Sequence, residues 1–473
     1  MKRMKKLLPV CAVLLLAACS STRVGPNYQR PAVPLPAHFK EAEGWTVAKP
    51  ADAVARDAWW TVFNDPLLND LAQRVAISNQ NVAASVAAWR QAQALVGQQR
   101  ASLFPSLNLT ATATRNSAAT TAVPAQRVRA DVGASWEPDL WGRLDRSVTG
   151  AEAGAQASAG DLATAKLSAQ GELVANYLQL RGADAQRKLL EAAIADYQRV
   201  VSITENRYKI GVAPKTDLLQ AQTQLSNAQS DFAGLMTQRS QLEHAIAVLL
   251  GEPPTNFSIA PMDVWHITSP DVPALLPSEL LQRRPDIAAA ERRVAAANEQ
   301  IGIARSAYFP SLTLSAGTGG YGASAAGLLT SPTSVWSLGI ALTQPIFNAG
   351  LTKYKVAGAQ AAYEQEIALY RQTVLSAFQN VEDQLILSRI LAEQETLLAT
   401  SATSATQAAE QVLNRYRAGQ VSFLDVVIAQ TTALNARRAL LQVQANRQVT
   451  SVSLIRALGG GWSAVAVAAE AKK

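Results

Sequence analysis

One stretch occurs twice, and no other feature restricts the fold of this chain as much. Residues 207–222 read Arg-Tyr-Lys-Ile-Gly-Val-Ala-Pro-Lys-Thr-Asp-Leu-Leu-Gln-Ala-Gln, and residues 415–430 read Arg-Tyr-Arg-Ala-Gly-Gln-Val-Ser-Phe-Leu-Asp-Val-Val-Ile-Ala-Gln. Arg207 and Arg415, Tyr208 and Tyr416, Gly211 and Gly419, Asp217 and Asp425, Ala221 and Ala429, and Gln222 and Gln430 pair at one offset of 208 residues. In each copy a long proline-free run enters, a glycine interrupts it and a second run leaves at once. This predicts a tight hairpin between two helices, with glycine in the left-handed cap. A single copy would be any helix connector. Two copies in register make a duplicated fold.

The runs beside the turns are long. No proline occurs for 75 residues between Pro138 and Pro214, nor in the 128 residues after Pro345. At 1.5 Å per residue, a helix filling most of the first run reaches about 100 Å, whereas an ordinary helix has about a dozen residues. Leu190, Ile194, Tyr197, Val201, Thr204 and Tyr208 recur at heptad spacing, and Ile367, Tyr370, Val374, Phe378, Val381 and Leu385 keep a similar seam. Such seams predict packing on neighbouring helices.

Ahead of each long run the helical period gives way to alternation. Phe104-Pro105-Ser106-Leu107 and Phe309-Pro310-Ser311-Leu312, at an offset of 205, mark the change. Leu107, Leu109, Ala111 and Ala113 alternate with polar residues, as do Val128, Ala130, Val132, Ala134 and Trp136. Leu312, Leu314 and Ala316, then Trp336, Leu338, Ile340 and Leu342, repeat the pattern. One apolar and one wet face suit a membrane barrel strand, and equally a sandwich strand. Gly317 to Gly322 lacks the lysine and following helix of a phosphate loop, and reads as a loop between the third and fourth strands.

The amino terminus reads as a signal peptide over residues 1–18: basic residues, an apolar run from Leu7 to Ala18, then a cysteine. Leu16-Ala17-Ala18-Cys19 resembles the lipobox of bacterial lipoproteins. The resemblance implies cleavage before Cys19 and a covalent lipid on it; Ser20 in the next position favours delivery to the outer membrane. The alternative is a plain signal peptide with an incidental cysteine. Residues 19–60 are rich in proline up to Pro50 and without periodicity, an extended arm. Four basic residues of the leader account for much of the formal charge of +7, and the remaining +3 is scattered, unlike a nucleic-acid surface. Cys11 leaves with the leader, so no thiolate site or disulfide remains. His38, His244 and His266 lie at no metal-ligand spacing. No Ser/His/Asp set or carboxylate pair points to catalysis. No run of apolar residues after the leader is long enough for a membrane helix, so strands would have to cross the bilayer.

Four such strands cannot close a barrel alone, because membrane barrels begin at about eight. Strand edges in lipid must be paired, so the barrel must be shared between chains. Two chains give eight strands and a filled interior, three give twelve and room for a lumen. The spacing alone does not decide between them.

The duplicated plan, the two Phe-Pro-Ser-Leu segments and the paired Arg-Tyr-x-x-Gly turns resemble the TolC-like outer-membrane efflux proteins. Val24 to Pro31, Trp59-Trp60, Trp136 to Arg143 and Arg283 to Ile287 resemble the NodT lipoprotein branch. The resemblance implies a mainly α fold with a small membrane β part. It divides the chain into a first repeat over 61–251, a proline-rich linker over 252–278, a second repeat over 279–460 and a tail over 461–473. It further implies a homotrimer with a shared twelve-stranded barrel and a helical periplasmic tunnel. The expected partners are a periplasmic adaptor protein and an inner-membrane pump, commonly of the resistance–nodulation–division class, with outer-membrane lipid around the barrel. The expected function is a passive duct for drugs or other small toxic compounds, with no metal and no cofactor beyond the lipid on Cys19.

By the same resemblance, Arg207, Tyr208, Gly211, Arg415, Tyr416 and Gly419 lie at the periplasmic tip, where the adaptor docks. Asp425, about two turns beyond the second Arg-Tyr pair, is a candidate for a ring of gate carboxylates. Asp217, its repeat mate, is the second candidate, with helix capping or solvation as its simpler role. Pro214 would stiffen the first turn, which points to the second as the moving part. A type I protein-secretion duct and a non-channel structural lipoprotein are the alternatives.

Overall fold

The two longest proline-free runs become two helices of equal length. A computed structural model describes residues 23–33, 36, 38–41, 58–116, 125–263, 265, 284–322, 324 and 334–460. The signal peptide, Cys19 and the tail over 461–473 lie outside the described residues. After a 3-10 turn at Trp59–Phe63 come α1 (Pro66–Ser78), α2 (Gln80–Ala101), β1 (Ser106–Asn116) and β2 (Ala125–Trp136), then α3 (Arg143–Lys209) and α4 (Lys215–Leu249). The second half repeats the order with α5 (Pro285–Ser306), β3 (Ser311–Gly322), β4 (Ser334–Thr343), α6 (Leu351–Arg417) and α7 (Phe423–Ala457). Helices α3 and α6 each have 67 residues, and α4 and α7 each have 35. No described helix is long and apolar enough to cross a membrane. The fold is thus mainly helical with one four-stranded sheet.

Contacts divide the chain into two units. The first comprises Met1–Ala32, Ala88–Ala159 and Ala289–Gln372. Its sheet has the strand order β1-β2-β3-β4, antiparallel throughout. The glycine-rich stretch that reads as a loop is instead the far half of β3: Gly317, Gly319 and Gly320 pair on both sides, with β2 and β4. Small residues let neighbouring strands approach there, which overrides their low strand propensity. The proline-rich segment over residues 26–33 forms neither helix nor strand, and its neighbourhood is held against helices. Val24 N–H donates to Trp141 O at 3.1 Å, Asn298 Nδ2 donates to Pro26 O at 3.1 Å, and Tyr28 donates to Glu291. Beneath it Arg146 and Glu299 form a buried ion pair at 2.6 Å.

The second unit comprises Val33–Ala87, Gly160–Ala288 and Thr373–Lys473. The second heptad seam is its clearest core: Val374, Val381 and Leu385 are fully buried, and Phe39 from the arm meets Phe378 edge-on. In the first seam Leu190, Tyr197 and Thr204 are buried, but Tyr208 is not. Part of the linker is fixed rather than loose. Asp184 on α3, with no exposed surface, accepts from Arg239 Nε at 2.7 Å, Arg181 at 3.0 Å and the Met262 N–H at 3.1 Å. The same two guanidiniums donate to Ile259 O and Ala260 O, at 2.6 and 2.9 Å. Charges this deep are tolerated only when every lone pair is satisfied.

Replacing Asp184 by alanine leaves the buried Arg181 without a counter-ion and Arg239 with Glu243 alone, at 3.4 Å. The expected loss is about 3 kcal/mol, read as a lower midpoint in urea unfolding of the solubilised protein. A midpoint within error of wild type would show that the network does not hold the linker.

Candidate functional site

Two regions bear on function: the sheet in the first unit and the paired turns in the second. On the sheet, the register brings the apolar residues of all four strands into phase. Leu107 faces Ala134, Leu109 faces Val132, Trp136 faces Leu314, Leu314 faces Ile340 and Leu312 faces Leu342. Among the described residues nothing covers this face: Leu109 is 75% exposed and Leu338 77%. The opposite face carries Thr110, Thr112, Arg129, Asp131, Ser315 and Ser337, with Arg129 and Asp131 paired at 2.8 Å. Strands β1 and β4 end the sheet, each with one unpaired edge. Trp136 Nε1 donates to Leu103 O at 2.9 Å and Trp141 Nε1 to Pro310 O at 2.7 Å, while Trp141 stacks on Phe309 at 4.8 Å between ring centroids. These contacts fix the ends of the strands to the helices that feed them.

Both Arg-Tyr-x-x-Gly segments close a helix in the same way. Gly211 and Gly419 share a φ of 76°. The Gly211 N–H bonds to Tyr208 O and the Val212 N–H to Arg207 O, and the Gly419 and Gln420 N–H groups repeat this with Tyr416 and Arg415. That pair of bonds is the Schellman motif, which satisfies terminal carbonyls and requires the left-handed glycine. The duplicated Arg and Tyr backbones therefore cap, as the repeat implied.

Their side chains diverge. Tyr416 is buried in a cluster with Phe423, Val426 and Ala221, its ring 5.4 Å from that of Phe423. The Arg207 guanidinium lies over the Tyr416 ring at 4.8 Å, joining the end of α3 to the end of α6. Tyr208, by contrast, is 40% exposed, as are its neighbours Ile210 and Val212 to a greater degree. The structure thus brings Arg207 and Tyr416 together and leaves Tyr208 and Arg415 at the surface. The aromatic cluster at this end is contributed mainly by the second turn, with Ala221 from the first hairpin packed into it.

The two acids also exchange their simpler roles. Asp425 is the third residue of α7, and it closes a capping box: its carboxylate accepts from Ser422 N at 3.0 Å and Ser422 Oγ at 2.7 Å, while its own N–H reaches back to Ser422 Oγ. Those hydrogen bonds hold its carboxyl below the ordinary value. Asp217 caps nothing, because the N-cap of α4 is Pro214, which has no side-chain acceptor. Burial pushes the Asp217 carboxyl up, opposed by the charge of Arg207. The spacing Ser-x-x-Asp ahead of an apolar run is a readable capping-box signal. Phe423 and Val426 had no such signal, since any apolar residue at those positions suits a helix face.

Phe423→Ala removes the centre of the cluster, and truncation of a buried phenylalanine costs about 3–5 kcal/mol. Faster amide exchange in the second hairpin is therefore expected, whereas Tyr208→Ala changes stability by less than about 0.5 kcal/mol. Equal exchange rates in the two variants would contradict the asymmetry. For Asp217, a native value above the unfolded one means that protonation favours the folded state. Its contribution is full below the unfolded carboxyl value and is lost as pH rises through the native one. Asp217→Asn is thus expected to stabilise the hairpins at neutral pH, with the difference vanishing in acid; a destabilised variant at neutral pH would refute this.

Comparison with known proteins places these features together. The family described as outer membrane efflux protein matches residues 71–252 and 276–460. The pyoverdine export outer membrane protein OpmQ of Pseudomonas aeruginosa is 32% identical over 472 residues, covering 97% of both chains. The cation efflux system protein CusC of Escherichia coli is 28% identical, covering 97% of this chain and 99% of its own. Among solved structures, the outer-membrane channel OprN superposes with a TM-score of 0.85 at 29% identity, over 93% of this chain and 99% of that one. These are transport proteins of the outer membrane, not enzymes. The chain belongs to the outer membrane efflux protein family.

Proposed function

We propose that the chain is the outer-membrane channel of a tripartite efflux system: a homotrimeric passive duct that receives cargo from a periplasmic adaptor and an inner-membrane pump. The observation that supports this most is the sheet. An apolar face in phase across four strands, with a polar face behind it and two unpaired edges, is an arc of a membrane barrel that needs further copies. Three copies give twelve strands and an open lumen. Cys19, acylated in the outer membrane, would tether the arm whose residues Arg23 and Val24 meet Asp145 and Trp141.

The cargo is a small toxic compound chosen upstream of the channel. OpmQ bears the name of a pyoverdine exporter and CusC that of a cation efflux protein, at nearly equal identity to this chain. Relatives that differ so much in cargo argue for selection by the pump, with the resistance–nodulation–division class the expected type. The paired turns are the adaptor's docking end. Exposed Ile210, Val212, Leu219, Leu424 and Ile428 supply apolar surface for it, around the caps set by Arg207, Tyr208, Gly211, Arg415, Tyr416 and Gly419.

The gate is the Asp425 ring. Its carboxylate is exposed, and Ser422 keeps it ionised, whereas Asp217 is partly buried beside Arg207 and acts in packing. Asp425→Asn retains an acceptor for the Ser422 cap and removes only the charge. In planar bilayers it is expected to lower cation selectivity and ease opening; unchanged selectivity and conductance would remove Asp425 as the gate. Deletion of the gene is expected to sensitise cells to antibiotics, dyes or metal ions. A secretion defect with no change in sensitivity would instead favour the protein-secretion duct. Absence of any conductance would favour a structural lipoprotein. Cys19→Ser should abolish incorporation of labelled palmitate, and retained label would place the lipid elsewhere.

A further inference from the structure

Within the second unit, a cavity of about 310 Å³ lies where the end of α7 meets the start of α5. Its wall includes Ser168 from α3, Asn380 and Gln384 from α6, and Ser453 and Arg456 from α7. Arg284 and Asp286 line it too, but they neutralise each other through a two-pronged contact at 2.7 and 3.1 Å, and Arg284 also donates to Ala457 O. Arg456 has no such partner. Among the described residues its guanidinium makes no ion pair and no hydrogen bond, and Glu172 acts on it only through the field. Burial lowers its proton affinity below the ordinary arginine value.

The chain is built to place this cation. Gly171 stands inside α3, where a glycine costs about 1 kcal/mol relative to alanine. A Cβ at that position would overlap the Arg456 Cδ and meet its Nε at 2.6 Å. The glycine therefore gives the arginine stem passage across the helix backbone. The Arg456 guanidinium is half-buried and keeps its donors open on the cavity side, and the side chains of Ser168, Asn380, Gln384 and Ser453 also make no hydrogen bond among the described residues. A planar fork of donors beside hydroxyls and amides is the arrangement that recognises carboxylate and phosphate oxygens.

We infer that this cavity is a binding site for a small oxyanion, a phosphate or a carboxylate, gripped by Arg456 and completed by Ser168, Asn380, Gln384 and Ser453. The site is separate from the paired turns and does not rest on the channel reading. Occupancy would fasten α3, α6 and α7 to one another around a shared charge.

Thermal unfolding of the full-length solubilised protein tests this, with phosphate or citrate titrated against sodium chloride at equal ionic strength. A saturable rise in the midpoint beyond that given by chloride is expected. The phosphate and citrate arms show which oxyanion is preferred. Arg456→Gln should weaken the response at least about tenfold, as loss of a charge-assisted fork does, and Gly171→Ala should weaken it by displacing the stem. Arg438→Gln, whose native partner is Asp231 on α4, should leave it unchanged. Gln384→Glu places a carboxylate in the cavity, and should raise the midpoint without anion and abolish the response to phosphate. This variant decides the matter if Arg456→Gln fails to assemble. No saturable effect in wild type, or the same effect in Gln384→Glu, would overturn the proposal.

Discussion

A backbone N–H or C=O left unpaired in hydrocarbon costs several kcal/mol, and this chain presents a row of them on each side of its sheet. Among the described residues, strands β1 and β4 have no neighbour on their outer edges, and nothing packs against the face made by Leu109, Leu338 and their neighbours. A soluble protein would cover both; edge strands are blunted and apolar faces buried. On the proposed channel reading, lipid in place of water removes the second problem and makes the first more severe, which is why that reading calls for further strands.

The helices show how a duplicated sequence supports an unequal structure. Equal lengths, equal glycine caps and equal offsets come from backbone demands, which are the same in both copies. Side-chain roles are not bound by those demands. One hairpin lends Arg207 to the other's Tyr416, and only the second hairpin has a capping box and a buried phenylalanine at its start. The result is a pair of turns that both show apolar surface, while the second supplies the aromatic centre of the core they share.

Periodicity makes most of the architecture legible in the sequence. Proline-free runs marked α3 and α6, alternation marked four strands, and glycine marked both turns. The errors came where local sequence is ambiguous. Gly317 to Gly322 has loop composition, but close strand pairing favours small residues as strongly as loops do. The cluster of Tyr416, Phe423 and Ala221 and the contact of Arg207 with Tyr416 join residues far apart in sequence, so what packs beneath each turn is not legible locally. Asp425 and Asp217 occupy equivalent positions, and only the Ser422 hydroxyl three residues earlier separates their roles. The Asp184 network and the Gly171–Arg456 crossing join residues with no shared motif, so nothing in their spacing could have announced them.

The central claim is that the sheet is one third of a closed barrel. A cysteine pair at the two free edges, Thr112→Cys in β1 and Ala341→Cys in β4, tests it in isolated outer membranes with a short thiol crosslinker. Both positions lie on the polar face of the sheet. The predicted result is a ladder on denaturing gels that passes through dimer, stops at trimer, and disappears when either cysteine is omitted. Crosslinking confined to the monomer, or a ladder continuing beyond trimer, would contradict a closed barrel of three chains.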